Sequence, residues 1–265
     1  MDLGLAGRAC IVTGASRGIG LATARTLCEE GAHVLLVARD EARLAEAAES
    51  CASAGGRAEP LALDVTAPEA GDRAVAACEE RFGGVDALVN NAGTSRVVPF
   101  DELTDADWQE QWELHVMASL RMMRAAAPRM AERGFGRIVN VCSSSGKRPS
   151  GSNSAYSVSK AAQLSLSRVF ADAYAAKGVL VNAVAPGPIE SPLWMEEGGL
   201  ADQAARRSGA KREEALAEAR AKIPLGRFGT EAEVAAVIAF LCSDRASDVA
   251  GAAWSVDGGA VPIIL

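Results

Sequence analysis

The chain has 265 residues, 49% of them hydrophobic and 23% charged, the balance of an ordinary soluble folded protein and not of a disordered or membrane-embedded one. A formal net charge of −7 supplies no basic field to gather nucleic acid or anionic lipid, so the expected partner is a small molecule, with no nucleic acid and no membrane. Six scattered cysteines without a C-x-x-C pair, and only two histidines, His33 and His115, give no metal-ligand pattern and suit a reducing, cytoplasmic setting. The opening MDLGLAGRAC is too short and interrupted for a secretion signal, and the most apolar stretch, residues 234–242, falls far short of a membrane span.

In chain order, short apolar runs alternate with helical patterns. The runs are RACIVT from Arg8, HVLLVA from His33, EPLALDV from Glu59, VDALVN from Val85, GRIVNVC from Gly136 and GVLVNAVA from Gly178. Between them lie segments rich in Ala, Leu, Glu and Arg, such as 21–30 and 41–54. Continuous apolar strands separated by helices predict an α/β fold, a doubly wound parallel sheet with helices on both faces. No repeat, low-complexity tract or linker interrupts the pattern, so residues 1–265 read as a single domain. Residues 192–222 lack a strand and are broken by Gly198, Gly199 and Gly209, which predicts a helical lid over a substrate site.

The first strand runs into TGASRGIG, in which Gly14, Gly18 and Gly20 precede a helix. Glycines there let the backbone approach a pyrophosphate whose charge the helix N-terminus favours, the mark of a Rossmann-type dinucleotide site. A glycine-rich turn that merely packs tightly is the competing reading. At the end of the second strand, Ala38 stands where an acid would bind the ribose hydroxyls of NAD, and Arg39 follows it, with Arg17 in the glycine loop. Two guanidinium groups favour a 2′-phosphate, hence NADP(H) in preference to NAD(H), unless Arg39 is only a solvated surface arginine.

SAYSVSKAA sets Tyr156 and Lys160 four residues apart, on one face of a helix. An ammonium beside a phenol favours the phenolate and is expected to lower the tyrosine's pKa towards a value useful for acid–base work. Ser143, Ser144 and Ser145 precede this helix at the carboxyl edge of the sheet, and one of them can hold a substrate oxygen. Chance Tyr/Lys pairs on solvated helices are the alternative.

TGASRGIG, Asp64-Val65, NNAG at 90–93, a serine before Y-x-x-x-K, PGPIES from Pro186 and a late VDGG together resemble the short-chain dehydrogenase/reductase family over almost the whole chain, with acyl-carrier-protein reductases among the relatives. The resemblance implies that Gly14, Ser16, Arg17, Gly18, Ile19 and Gly20 hold the pyrophosphate end of the cofactor and that Asp64 and Val65 meet its adenine. Asn91, Ala92 and Gly93 support the central strand beside it, and Pro186, Gly187, Ile189 and Ser191 lie against the nicotinamide. It selects Ser143 among the three serines and gives Lys160 the nicotinamide ribose as well as Tyr156. In WELHVMASL, His115 stands where the family has a catalytic asparagine, which there holds a helix distortion and a relay water. Histidine also donates and accepts, so His115 joins Ser143, Tyr156 and Lys160 as a candidate catalytic residue, against the alternative of a satisfied core histidine.

The expected activity is reversible hydride transfer between a nicotinamide cofactor and a ketone or secondary alcohol, with Tyr156 as general acid/base. Two other functions remain: a non-catalytic dinucleotide-binding or redox-sensing protein, and an epimerase or dehydratase that uses the cofactor transiently. Six acids and six bases balance across 192–222 and give no basic platform for a carrier protein, while Leu193, Trp194, Met195 and Leu200 either wall a substrate pocket or pack the lid down. The resemblance also suggests a homotetramer, for which the helices after Asp101 and around Tyr156 and the tail 261–265 offer apolar surface.

Overall fold

The computed structural model describes residues 2–262, so residues 263–265 of the apolar tail lie outside the described residues. The elements are β1 (Ala9–Thr13), α1 (Gly18–Glu29), β2 (His33–Ala38), α2 (Glu41–Ala52), β3 (Arg57–Ala62), α3 (Ala70–Phe82), β4 (Ala87–Asn90), α4 (Asp105–Trp112), α5 (Ala118–Glu132), β5 (Gly136–Val141) and α6 (Ser144–Lys147). There follow α7 (Ser154–Tyr174), β6 (Val179–Pro186), α8 (Pro192–Met195), α9 (Leu200–Ser208), α10 (Arg212–Ala221), α11 (Glu231–Cys242) and β7 (Ala253–Val256). All strand pairings are parallel, in the order β3-β2-β1-β4-β5-β6-β7.

The central strands are apolar throughout because both of their faces are covered. Along β1, Cys10 and Val12 enter one cluster with Leu27 and Cys28 of α1, Leu44 of α2, and Val234 and Ile238 of α11. Ala9 and Ile11 point the other way, into a cluster with Val75 and Cys78 of α3, Met122 and Met123 of α5, and Phe170 of α7. This gives the doubly wound sheet with helices on both faces that the alternation predicts. Pro60, which cannot donate to a ladder, is tolerated because β3 is an edge strand.

The other edge strand, β7, has no counterpart among the apolar runs, because three of its four residues are exposed and no hydrophobic stretch marks it. Residues 192–221 form α8, α9 and α10 and contain no strand. They dock onto the body: the Val97 amide donates to Gln203 of α9 at 2.8 Å, and Trp194 meets Phe228 edge-on at 5.0 Å between ring centres. Strand order reverses at β1, which has β2 on one side and β4 on the other, so a crevice opens beyond the carboxyl ends of these strands. No helix among the described residues is long and apolar enough to cross a membrane.

Candidate active site

The crevice is a cleft of about 950 Å³ whose wall includes residues from the glycine loop, the ends of β2, β4, β5 and β6, α7, α8 and the start of α9. At its floor, Gly14 and Gly18 have φ of +63° and +64°, where side chains are strained, and a Cβ on Gly14 would stand 2.9 Å from the Cα of Ala92. Gly20 lies behind the wall, where a Cβ would collide with the Gly14 carbonyl. No side chain caps the N-terminus of α1, so its amides face the cleft beside Ser16, Arg17 and Ile19 and suit a pyrophosphate. Asn91 braces this cradle: its side-chain nitrogen donates to the carbonyls of Thr13 at 2.9 Å and Gly14 at 3.2 Å. The Thr13 hydroxyl in turn accepts the amides of Asn91 and Ala92 at 2.9 and 3.0 Å.

At the end of β2, Arg39 has no ion-pair partner among the described residues. Asp40 does not compete for it, since its carboxylate accepts the Arg43 amide at 3.1 Å as the cap of α2. Asp64 accepts from the amide and hydroxyl of Thr66 at 2.9 and 2.7 Å. The Thr66 amide holds its carboxyl below the usual carboxylate range, with a smaller contribution from the positive charge of Arg39. Arg17 reaches the other way and pairs with Glu196, just after α8.

On the facing wall, Ser143 begins the short helix α6 and its hydroxyl accepts the Ser145 amide at 3.1 Å. Pro186 ends β6, and Gly187 packs so closely on Asp257 that a Cβ would come within 2.8 Å of the Asp257 Cα. Ile189 and Ser191 continue this wall to α8, and Asp64, Val65, Ala92 and Gly93 also line the cleft. Tyr156 and Lys160 project from α7 as the spacing requires, and both line the cleft. Lys160 is only 3% exposed. Burial lowers its ammonium to a pKa of about 8, and it donates to the Val141 carbonyl and to Gln163, each at 2.9 Å.

The phenol does not behave as the Tyr/Lys spacing predicts. Burial pushes Tyr156 up to about 12, and the hydrogen bond from Ser143 only partly opposes this. Lys160 fails to lower it because the ammonium is turned to Val141 and Gln163, with its nitrogen 5.7 Å from the centre of the tyrosine ring.

The sequence profile of the family described as short chain dehydrogenase matches residues 8–199. The chain belongs to the short-chain dehydrogenase/reductase family. It is 34% identical over 257 residues to the 3-oxoacyl-[acyl-carrier-protein] reductase of Thermotoga maritima, covering 97% of this chain and 99% of that one. With the cis-4-hydroxycyclohexanecarboxylate dehydrogenase of Sinomonas cyclohexanicum it shares 39% over 264 residues, 98% of each chain. The crystal structure of L-sorbose reductase from Gluconobacter frateurii, complexed with NADPH and L-sorbose, superposes over the full length of both chains with a TM-score of 0.92 at 38% identity. The chain is thus a short-chain oxidoreductase of the dinucleotide-dependent, hydride-transferring kind.

Within this family frame His115 is the departure, and the structure gives it a defined setting. Residues Glu113–Met117 form one turn of π-helix between α4 and α5, so the helix is distorted at the histidine. His115 is fully buried behind Gly93, not on the cleft wall, with its ring edge-on to Tyr156 at 5.3 Å. Its Nε2 accepts the Thr94 amide at 3.3 Å, which puts the ring proton on Nδ1, 2.9 Å from the Ser159 hydroxyl. Ser159 in turn donates to the Tyr156 carbonyl at 2.8 Å. Burial, and then the positive charge of Lys160, holds the imidazole well below its ordinary pKa, so it is neutral.

Sequence reasoning missed Thr94, Ser159 and Gln163. Only Gln163 carried a readable signal, one helical turn beyond Lys160 on the same face.

The setting of His115 leads to a graded expectation for pH–rate profiles of the unaltered protein, His115→Asn and His115→Leu. Asparagine, whose amide can take the place of Nδ1 and donate to Ser159, should retain substantial turnover, whereas leucine should slow it and shift its pH dependence. Superimposable profiles for all three proteins would reduce His115 to a packing residue.

Proposed function

We propose that this protein is an NADP(H)-dependent ketone reductase or alcohol dehydrogenase in which the whole chain acts as one catalytic domain, closed by residues 192–222, with Tyr156 as general acid/base. The observation that carries this reading is the convergence of Ser143, Tyr156 and Lys160 on one cleft whose other end is a glycine cradle with two arginines, Arg17 and Arg39. The cradle fits a dinucleotide: its glycines leave the space a pyrophosphate needs, and Gly187, Ile189 and Ser191 offer a wall for the nicotinamide. A bound nicotinamide supplies or accepts the hydride.

In reduction, Ser143 orients the carbonyl oxygen and Tyr156 donates its proton to it. A phenol pushed up to about 12 is protonated at neutral pH, the form that reduction requires. The nearest cation to the negative charge that then develops on the tyrosine oxygen is Lys160, one turn along α7, whose ammonium is bonded here to Val141 and Gln163 and not to the phenol. Substrate chemistry follows from what lines the cleft. The cations on its wall are Arg39 and Arg43 near Asp64, Arg17, which is paired with Glu196, and Lys160. The substrate end offers Ser95, Ser145 and Asn153 opposite Leu193, Trp194 and Leu200, which suits a neutral carbonyl compound better than a carboxylate.

A panel of ketones followed by NADPH absorbance tests the activity. Neutral ketones should be turned over faster than carboxylated ones of equal size, and Tyr156→Phe should lower kcat by about 10²–10⁴-fold while leaving NADPH affinity nearly unchanged. A Tyr156→Phe protein that reduces its ketone at the original rate rules this mechanism out.

The preference for NADP(H) rests on Arg17, Arg39 and the absence of an acid at Ala38. Replacing Arg39 with Asp should reduce the ratio of kcat/KM for NADPH over NADH by about tenfold or more. Equal efficiency with both cofactors in the unaltered protein would overturn the assignment.

For assembly we propose a homotetramer. Trp112 of α4 and Val158 and Val169 of α7 leave large apolar side chains 41%, 45% and 60% exposed on helices outside the cleft, surface that a second subunit would cover. Light scattering at micromolar concentration should give four times the chain mass. A single-chain mass would exclude the assembly.

A further inference from the structure

Lys160 is a buried cation with no carboxylate bonded to it among the described residues. The titratable groups that face it are Tyr156 on its own helix, His115 on the π-helical turn and Cys142 at the end of β5. None is an anion at neutral pH: the phenol and the Cys142 thiol are both pushed up to about 12 by burial, and the imidazole is neutral. Its protein acceptors are therefore uncharged, the Val141 carbonyl and the side-chain oxygen of Gln163, each 2.9 Å away.

Gln163 is itself 1% exposed and held at both ends of its amide. Its nitrogen donates to the Ser119 hydroxyl of α5 at 2.8 Å. The Lys160 contact fixes which way round the amide sits, because a reversed amide would aim an N–H at an ammonium that has no lone pair to accept it. Gln163 is thus a rigid dipole whose negative end meets the lysine, braced from a second helix.

We propose that Gln163 is a positioning residue for hydride transfer, holding the Lys160 ammonium charged and fixed in place in the cleft wall. The proposal rests on the roles given above to Tyr156 and Lys160. Burial favours the neutral amine, and an acceptor fixed on the ammonium opposes that. Removing the acceptor lets Lys160 lose its proton at lower pH, and replacing it with a carboxylate makes the lysine keep its proton to higher pH. The sign of the change therefore reverses between two variants at one position, which a purely structural role would not produce.

The experiment measures the alkaline limb of ketone reduction, and in parallel NADPH affinity across pH by fluorescence, for the unaltered protein, Gln163→Leu, Gln163→Glu and Ser119→Ala. In Gln163→Leu both alkaline limbs should move down by about one pH unit, with the loss of rate partly restored at lower pH. In Gln163→Glu they should move up, and in Ser119→Ala, which removes the second brace on the amide, they should move down by less than in the leucine variant. Should Gln163→Leu fail to fold by circular dichroism, the opposed shifts of the other two variants carry the test. Limbs that coincide across the variants in both measurements overturn the role of Gln163. If instead Tyr156→Phe proves fully active, the underlying assignment of Tyr156 fails, and the binding limbs alone then decide whether Gln163 holds the lysine charged.

Discussion

A charged amine with 3% of its surface exposed has to be satisfied on all sides, and much of this site is arranged around that requirement. The carbonyl that ends β5, the amide of Gln163 and, through it, the hydroxyl of Ser119 each take part in holding Lys160. Because β5 and α7 both contribute, the distance between strand end and helix is fixed by the charge as well as by apolar packing. Ser143 and Tyr156, one on each side of that joint, inherit its geometry. The polar interior continues beyond it: Ser167 of α7 donates to the Gln163 carbonyl at 2.8 Å and accepts from Asn140 at 2.8 Å, and Asn140 accepts from Asn90 of β4 at the same distance. A line of hydrogen bonds thus runs from the cleft floor into the middle of the sheet.

The two ends of the cleft are built by different means. The glycine cradle depends on close backbone approach, with Thr13 and Asn91 tying the end of β1 to the segment after β4 across the point where strand order reverses. The facing end depends on side-chain chemistry from β5, α7 and residues 191–200. One end thus presents backbone amides and arginines, and the other presents hydroxyls.

Much of this was legible in the chain. The inner strands read as continuous apolar runs because both faces are buried, and TGASRGIG, NNAG and Y-x-x-x-K mark positions where backbone approach or a helical turn dictates residue type. Of the residues assigned to the site, Gly20 and His115 stand just behind the cleft wall and the others line it. What the chain did not disclose has physical causes. β7 is exposed and short, so no hydrophobic periodicity announces it. The direction of the Tyr156 shift depends on where the lysine nitrogen points, which spacing along a helix cannot specify. Ser159 carries no motif, since a buried hydroxyl is recognisable only once its partners are known, and Gln163 signalled no more than its place one turn beyond Lys160.

The packing of α1 has a consequence for the order in which the protein can be completed. The cradle is encoded within the first twenty residues, yet the helix that follows it is covered by α11, where Val234 and Ile238 share the cluster of Leu27 and Cys28, and the side chain of Glu231 lies over Gly18. During synthesis those early residues emerge long before their covering layer exists. The part of the site written first is therefore finished among the last, and a nascent chain arrested before residue 231 would carry the glycine loop without the surface that buries its helix.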